Sequence, residues 1–171
     1  PLPERLLLSP GRHHVQPPEW LTTLVVRRLP SKHRQSTLLR MWPHEIFQYD
    51  FLFVPYNKIQ RRTVRYAFIN FLSAAAAKRF FDIFDGRQLV EGDSGACYIG
   101  AAKRQGLLAN LLYHRHACQD DVHHAPYVVR NGREMDFAHA LFQLQAQGKV
   151  AGQAVLPTNL ATRSALHMNR S

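Results

Sequence analysis

Two aromatic residues, two positions apart in a predicted strand, are the residues of this sequence best suited to binding chemistry. Residues 64–71 (VRYAFINF) are rich in β-branched and aromatic side chains, which predicts a strand. Side chains alternate along a strand, so Tyr66, Phe68 and Asn70 share one face while apolar residues occupy the other. Two rings at this spacing can stack on successive unpaired nucleic-acid bases, at about 1–3 kcal/mol per base.

Basic residues are concentrated around this predicted strand. Positions 27 to 65 contain nine Lys and Arg residues and two acids. Cations around an aromatic surface suit a site that follows a phosphate backbone, although an ordinary solvated surface is the alternative. The expected RNA contacts are Tyr66, Phe68, Asn70, Arg27, Arg28, Lys58, Arg61, Arg62, Arg65 and Lys103.

The composition of the whole chain agrees with a polyanionic partner. Among 171 residues, 22 are Lys or Arg and 12 are Asp or Glu, for a formal net charge of +10. Such a charge attracts RNA, DNA or an anionic membrane. No apolar run approaches the roughly 20 residues that cross a bilayer, so no membrane partner is expected. The chain starts at Pro1 rather than methionine, as a fragment or a processed form would.

The cysteine content predicts the compartment. Cys97 and Cys118 are the two cysteines of the sequence, which is too few for a disulfide framework. A chain of this kind is typical of a reducing environment. We therefore expect an intracellular protein, located in the nucleus, the cytoplasm or an organelle.

The predicted elements follow the order βαββαβ, with a further helix at the end. Strands are predicted at residues 22–29, 49–54, 64–72 and 96–102, and helices at residues 36–42, 74–84 and 107–113. Ser36 is the expected N-cap of the first helix. This order predicts an α+β, ferredoxin-like fold with a four-stranded antiparallel sheet, two helices on one face and an extra C-terminal helix.

The chain divides into three predicted parts. Residues 1–20 form an extended, basic and proline-rich arm, and residues 21–118 form the folded domain with its C-terminal helix. Residues 119–171 form an extension with a short strand and turn near Asn131-Gly132. That extension continues into a helix at residues 134–147, with Phe137, Ala138, Leu141 and Leu144 as its apolar stripe, and then into a flexible tail.

The sequence pattern leaves open which side chains of two segments are covered and which are accessible. The helix at residues 107–113 has an apolar stripe of Leu107, Leu108, Leu111 and Leu112, so it can fold back across the sheet and cover Tyr66 and Phe68 instead of leaving them for bases. The strand at residues 49–54 (YDFLFV) is apolar on both faces. For that strand we expect Tyr49, Phe51 and Phe53 to face the core under the helices.

A histidine-rich segment raises the question of a metal site. It contains His114, His116, Cys118, His123 and His124. On a helix, His114 and His116 would point about 200° apart, which does not fit paired zinc ligands. We therefore expect surface histidines, no metal and no cofactor. Because no nucleophile, base and orienting group can be assembled, we also expect neither an enzyme nor a small-molecule substrate.

The predicted strand at residues 64–71 resembles the ribonucleoprotein octapeptide of RNA recognition motif (RRM) domains. Six of the eight positions of VRYAFINF fit the pattern K/R-G-F/Y-G/A-F-V-x-F/Y, and Val64 and Arg65 depart from it. Residues 24–29 (LVVRRL) resemble the partner hexapeptide, with Val25 where the family usually has an aromatic. The resemblance implies an RRM fold and RNA as the partner.

Four ordered motifs resemble the C-terminal RRM of the Mei-two-like RNA-binding proteins. They are TTLVVRRLPSK, YDFLFVP, YAFINF and AAKRQG, and the resemblance covers residues 21–118. Domains of that family continue past the fourth strand into a helix led by Gln-Gly, as Gln105-Gly106 does here. They often have an aromatic where this chain has Ala101, so the resemblance implies fewer stacking positions than in a standard RRM.

Three functions are compatible with these patterns. The first is binding of single-stranded RNA by the sheet face. The second is a structural RNA-binding subunit of a large ribonucleoprotein, a ribosome-like or splicing-type assembly, which would use the basic extensions and contact other proteins of the complex. The third is an RRM that acts as a protein-interaction module, against which stands the lack of an acidic patch on the first helix, where Arg40 lies.

Overall fold

The structure, a computed structural model, describes residues 18–90, 95–118 and 124–153, which contain both strands and helices. Eight strands lie within these residues: β1 (Thr23–Arg27), β2 (Tyr49–Phe53), β3 (Tyr56–Asn57), β4 (Arg62–Thr63), β5 (Tyr66–Phe71), β6 (Tyr98–Ala101), β7 (Tyr127–Arg130) and β8 (Arg133–Met135). Six of them form one antiparallel sheet in the order β6-β1-β5-β2-β7-β8. The other two, β3 and β4, form a separate hairpin between β2 and β5.

Helices lie on both faces of the sheet. The described residues contain α1 (Gln35–Met41), α2 (His44–Phe47), α3 (Ala74–Phe84), α4 (Leu107–His114) and α5 (Phe137–Gln153), with a 3₁₀ turn at Arg115–Cys118 after α4. Residues of α1 and α3 pack on one face, here called the first face. Residues of α4 and α5 pack on the opposite, second face. The predicted α+β fold with its βαββαβ order is confirmed; α2, the β3–β4 hairpin and two further strands of the main sheet, β7 and β8, are added to it.

The core of the first face joins the sheet to α1 and α3. Leu24 and Ile69 of the central strands are fully buried against Phe80 of α3, and the Trp42 ring meets the Phe80 ring edge to face at 5.0 Å. Burial of each such side chain contributes about 1.5–3 kcal/mol. Helix α3 occupies the predicted residues, and its N-cap Ser73 accepts a hydrogen bond from the Ala76 amide at 3.1 Å.

A register irregularity in β2 determines which aromatic rings reach the second face. Tyr49 pairs with Phe71, but Phe51 pairs with the adjacent Asn70, so one extra residue lies in β2 between them. Tyr49 therefore belongs to the first core, as expected, and its hydroxyl donates to the Trp42 carbonyl at 2.6 Å. Phe51 and Phe53 instead point to the second face, so the expectation that both lie under the helices of the first face is wrong.

The segment after residue 124 enlarges the sheet. Strand β7 pairs with β2 through Val128 and Phe51, and β8 returns beside β7. The turn between them has positive φ at Asn131 (52°) and Gly132 (73°), which is the geometry of a type I′ hairpin. The predicted strand and turn of the C-terminal extension thus form part of the same sheet, which has six strands rather than the predicted four.

Helices α4 and α5 cover much of the second face. The buried positions of α4 are Asn110, Leu111 and His114, with Leu107 packed beside them. This is an i, i+3, i+4, i+7 pattern, so the predicted stripe that included Leu108 and Leu112 is only half right. On α5 three of the four predicted positions pack in this core: Phe137 is buried, and Leu141 and Leu144 pack beside it.

Helix α5 begins later than predicted. Glu134 belongs to β8, so the helix starts at Phe137 rather than at residue 134. The Asp136 carboxylate accepts a hydrogen bond from the His139 amide at 3.0 Å, as an N-cap does. Phe137 and Ala140 are buried, whereas Ala138, expected in the apolar stripe, is exposed.

Helix α1 also begins one residue before its predicted N-cap. Gln35 starts the helix, and its side chain accepts from the Val54 amide at 3.1 Å and donates to the Ala125 carbonyl at 2.8 Å. Ser36 is exposed and does not cap the helix. None of the described helices has the length and apolar character needed to cross a bilayer. Most of the predicted arm, residues 1–17, and the tail from residue 154 lie outside the described residues.

Candidate nucleic-acid interface

The two ends of the second face differ in how they are built. At one end, called the hairpin end, β1 finishes, β5 begins and the β3–β4 hairpin is attached. At the other end, called the Gln105 end, β1 starts and α4 begins. Eight of the ten predicted RNA contacts lie at the hairpin end: Tyr66, Phe68, Arg27, Arg28, Lys58, Arg61, Arg62 and Arg65. Lys103 and Asn70 do not.

A row of three side chains crosses the sheet at the hairpin end. Arg27 pairs with Tyr66 on one neighbouring strand and with Tyr98 on the other, so the three lie side by side. The Arg27 guanidinium carbon is 5.7 Å from the centroid of the Tyr98 ring, within the range of a cation–π contact. Tyr66 is 38% exposed. These side chains form a surface on which both bases and phosphates can bind.

Tyr98 is a residue that our sequence analysis missed. The family resemblance put the aromatic position of β6 at Ala101, but Ala101 belongs to the core of the first face. Strand alternation counted from the buried Ile99 would have placed Tyr98 on the second face.

Next to this row, α4 covers the aromatic residues of the second face. Phe51, Phe53 and Phe68 belong to the α4–α5 core, of which Leu111 is a fully buried member. The His114 ring lies 4.7 Å from the Phe53 ring and 5.2 Å from the Phe68 ring. Burial lowers the pKa of His114 to about 4, so the imidazole is neutral at physiological pH. Phe68 is thus half-buried, and one side of its ring belongs to the fold.

A hydrogen-bonded network fixes the start of α4 to the sheet. Gln105 accepts from the backbone amides of Thr22 (2.9 Å) and Thr23 (2.8 Å) and donates to the Thr23 carbonyl at 2.9 Å. The Thr23 hydroxyl accepts from the Gly106 amide at 3.0 Å and from the Asn110 side chain at 3.1 Å. Helix α4 is therefore anchored at its first turn and packed along its length.

Asn70 continues this network under the helix. It accepts from the hydroxyls of Thr22 (2.9 Å) and Thr23 (2.7 Å) and donates to the Asp50 carboxylate at 2.7 Å. Asn70 is 3% exposed, so its amide serves the fold rather than an accessible surface. Strand parity placed it on the second face, but parity does not reveal the helix that covers it.

Asp50 is a half-buried carboxylate in the same network. Desolvation raises its pKa to about 6, against the lowering effect of the Asn70 hydrogen bond and, more weakly, of the nearby Arg130 charge. Near neutral pH the ionised carboxylate therefore makes the folded state less stable than a neutral group would. The Gln105 end is consequently a buried polar cluster with a titratable centre.

At the hairpin end, a groove opens between the β3–β4 hairpin and the end of α4. It encloses about 320 Å³ and is lined by Phe53, Pro55, Tyr56, Lys58, Tyr66, Phe68, Tyr113, His114, His116 and His124. The Tyr56 and His124 rings are stacked, with centroids 3.9 Å apart and an angle of 21° between planes. Rings and a single lysine in one concave site are the groups that stack bases and contact a phosphate.

The far wall of the groove comes from α4. Tyr113 is 57% exposed, and the Arg104 guanidinium carbon lies 4.7 Å from its ring centroid. Sequence analysis missed both residues, since Tyr113 was counted within an apolar helix. A helical projection with Leu111 buried would have placed Tyr113 on the exposed side.

The basic residues differ in how firmly they are held. Arg65 is exposed, and its Nε donates to the Leu29 carbonyl at 2.8 Å, at the mouth of β5. Arg28 is exposed immediately after β1 with a positive φ of 63°. Lys103 is exposed at the opposite end of the sheet, beyond β6. The cations of the hairpin end therefore lie on the same end of the sheet as the groove, with Lys58 in its wall, and Lys103 is separate from them.

The histidine-rich segment is divided between stacking contacts. His114 packs on Phe51 and Phe53, and His124 on Tyr56. No group of three or more His, Cys, Asp or Glu residues that could hold a metal ion occurs among residues 18–90, 95–118 and 124–153. His123 lies outside the described residues.

Comparisons with known proteins place this geometry in a family. Residues 21–115, more than half of the chain, match the family model described as RNA recognition motif 2. No curated protein matches the chain.

Several solved structures are similar to part of the chain. The Sxl-lethal protein of a protein/RNA complex has 20% identity and a TM-score of 0.42 over 50% of this chain and 48% of that chain, so the match spans about half of that protein. The Rna15 RRM with bound RNA (GU) has 18% identity and a TM-score of 0.43 over 55% of this chain and 96% of that one. The second RRM domain of yeast poly(U)-binding protein (Pub1) has 19% identity and a TM-score of 0.41 over 50% and 99%. By its family match and its order of strands and helices, this chain belongs to the RNA recognition motif 2 family.

Proposed function

We propose that this protein binds single-stranded RNA at the hairpin end of the second face, with a base in the groove beside Tyr66. Membership of an RRM family supports RNA as the ligand. The observation that carries the proposed site is the position of α4, which covers the middle of the second face and leaves Tyr66 38% exposed beside a concave aromatic groove.

The groove suits an unpaired base better than a double helix. Its rings, from Tyr56, Tyr66 and Tyr113, come from three different elements and surround a recess of about 320 Å³. An unpaired base can enter such a recess and gain stacking on either side, whereas a base inside a duplex is already stacked. Stacking of this kind contributes about 1–3 kcal/mol per base.

The cations of the hairpin end supply the phosphate contacts. Arg27 lies in the row between Tyr98 and Tyr66, and Lys58 is part of the groove wall. Arg28, Arg61 and Arg62 are exposed around them. Phosphate contacts orient the strand without reading its sequence, so the affinity has a large salt-dependent part.

We propose further that the chain is a Mei-two-like member among RRM proteins. The motifs that carry this resemblance interact with one another in the fold. Thr22 and Thr23 of the first motif are hydrogen-bonded to Asn70 of the third and to Gln105 of the fourth. These residues together hold α4 on the sheet, so we expect members with the same motifs to share this helix position.

Substitution of Tyr66 tests the proposed site. Tyr66→Ala should weaken binding of a labelled single-stranded RNA by about 5- to 150-fold, since one stacked base is lost, with thermal unfolding within a few degrees of the parent protein. Tyr66→Phe should retain the affinity because it keeps the ring. Phe142→Ala, which removes an exposed ring of α5 that does not line the groove, is the matched control. An unchanged affinity in Tyr66→Ala would remove the groove as the RNA site.

A further inference from the structure

The hairpin β3–β4 ends in a tip with a well-defined conformation. The Asn57 side chain accepts from the Gln60 amide at 2.9 Å, and the Gln60 side chain accepts from Arg62 Nε at 2.8 Å. Arg61 adopts a positive φ of 49°, which closes the turn. A tip that is already ordered presents its side chains at a low entropic cost on binding.

The base of the hairpin is also fixed. The Val64 amide donates to the Pro55 carbonyl at 3.0 Å, and the Thr63 hydroxyl donates to the His33 carbonyl at 3.3 Å. The hairpin therefore has a fixed position relative to the groove, whose wall includes its residues Tyr56 and Lys58. A strand of RNA in the groove must pass beside it.

Ile59 occupies the tip and is 95% exposed, the highest value of any large hydrophobic side chain in the described residues. A single exposed aliphatic residue is ordinary on a protein surface. Here, however, its neighbours Lys58, Arg61 and Arg62 are all exposed cations, and no acid occurs between positions 51 and 81. The surroundings of Ile59 therefore attract a polyanion, and a polyanion bound by these cations would also contact the apolar Ile59 side chain.

An aliphatic side chain and phosphate-binding cations suit one feature of folded RNA. The last base pair of a stem exposes an apolar stacking face, and the phosphates of both strands lie beside it. Apolar wedge residues of other nucleic-acid-binding proteins insert between base steps and pack on base faces, while neighbouring cations contact the backbone; the end of a stem presents such a face without any unstacking. An unpaired strand offers no such paired face.

We propose that Ile59 is a wedge that packs on the terminal base pair of a stem, with Arg61 and Arg62 on the flanking phosphates. The ligand class is then RNA in which the single-stranded segment bound in the groove adjoins a duplex. This inference rests on the proposed function, because the groove must hold the unpaired segment.

Two RNA probes test the wedge in the full chain. One is an unpaired oligonucleotide, and the other carries the same segment extended by a short stem, made separately with the stem at the 5′ or the 3′ end. The parent protein should bind one of the stem-extended RNAs about 10-fold more tightly than the unpaired one. Ile59→Ala should abolish that difference while leaving the affinity for the unpaired RNA unchanged, and Ile59→Leu should retain it. Since Ile59 is almost fully exposed, neither substitution should affect folding.

The outcomes separate the wedge from the groove. If the parent protein bound the stem-extended and the unpaired RNAs with equal affinity, the wedge would be wrong. An equal loss of affinity for all of these RNAs in Ile59→Ala would also overturn it. If Ile59→Ala instead abolished only binding to anionic lipid vesicles, the tip would be a membrane contact and the wedge would be wrong. Failure of Tyr66→Ala to weaken any RNA would reject the groove and, with it, the wedge as proposed, whereas loss of the stem preference while Tyr66→Ala still weakens binding would reject the wedge alone.

Discussion

At the Gln105 end of the second face, Thr23 is buried and hydrogen-bonded to the buried Asn70 and Asn110, whereas at the hairpin end Tyr66 is 38% exposed beside an aromatic groove. Strands β1 and β5 contribute to both ends. The difference arises from α4, which is anchored where β1 starts and reaches the groove with His114 and Tyr113. One sheet face is thereby divided into a structural half and an accessible half.

This division changes where a base can bind. The two central positions of the sheet, Val25 and Phe68, face each other across β1 and β5, and they are buried and half-buried respectively. Open positions lie one step further along the strands, in the row of Tyr98, Arg27 and Tyr66. Val25 leaves β1 without an aromatic at its central position, but that position is covered. The proposed site uses Tyr98 and the groove rings instead, which lie outside the covered region.

The largest expected effect is on the structural half. Leu111 is fully buried between α4 and the sheet, so Leu111→Ala should lower the free energy of unfolding by about 2–5 kcal/mol, measured by urea titration. Leu108→Ala, on the same helix but outside the buried cluster, is the control and should cost less. If both substitutions cost the same small amount, α4 would not be an integral part of the fold.

The sequence predicted the elements of the domain better than their environment. Six of the nine strands and helices from Thr23 to Ala101 were predicted, because turn residues and alternation define them locally, as at Ser73, which caps α3. The burial of Asn70 was not, because it depends on α4, which lies much later in the chain and is held on the sheet by hydrogen bonds of Gln105 and Asn110 to Thr23. The extra residue in β2 likewise reversed the facing of Phe51, and an apolar stretch of sequence contains no signal for it.

The candidate site was predictable only in part, for a related reason. Tyr66 was predicted from the alternation of side chains along one strand, and the basic cluster was predicted from a count of charged residues. The groove combines Tyr56, Tyr113 and His124 from a hairpin, a helix and the segment before β7. Each is unremarkable in its own sequence context, so the groove exists only in the tertiary structure.

Asp50 provides a smaller effect that also distinguishes the two ends. Its folded pKa, about 6, lies above the ordinary value of 3.8, so the folded state binds the proton more tightly than the unfolded state. Stability from this group is therefore present at low pH and is lost as the pH rises from about 4 to about 6. Asp50→Asn should raise the free energy of unfolding by about 2 kcal/mol at pH 7.5 and by little at pH 4, measured by urea titration at both values.

The matched control for Asp50 is Asp82→Asn. Asp82 is exposed and contacts Lys78 on α3, so its substitution should change stability by less than about 1 kcal/mol at either pH. Destabilisation by Asp50→Asn at pH 7.5 would mean that the attraction of the carboxylate to Arg130 outweighs its desolvation. RNA affinity should be the same in both variants, because Asp50 lies at the covered end.

The smallest expected effect compares two lysines, one at each end. If the hairpin end contacts about four RNA phosphates, the logarithm of the RNA affinity should fall with the logarithm of the salt concentration. The expected slope is about −3, at roughly −0.7 per contact for a single strand. Lys58 lines the groove, so Lys58→Gln should make the slope less steep by about 0.7. Lys103 lies at the Gln105 end, so Lys103→Gln should leave the slope unchanged despite the same loss of charge.

Fluorescence anisotropy over about a fourfold range of KCl resolves this difference between the two lysine variants. Equal changes for the two lysines would show that the RNA responds to net charge rather than to the hairpin end, and a slope near zero in the parent protein would exclude phosphate contacts altogether.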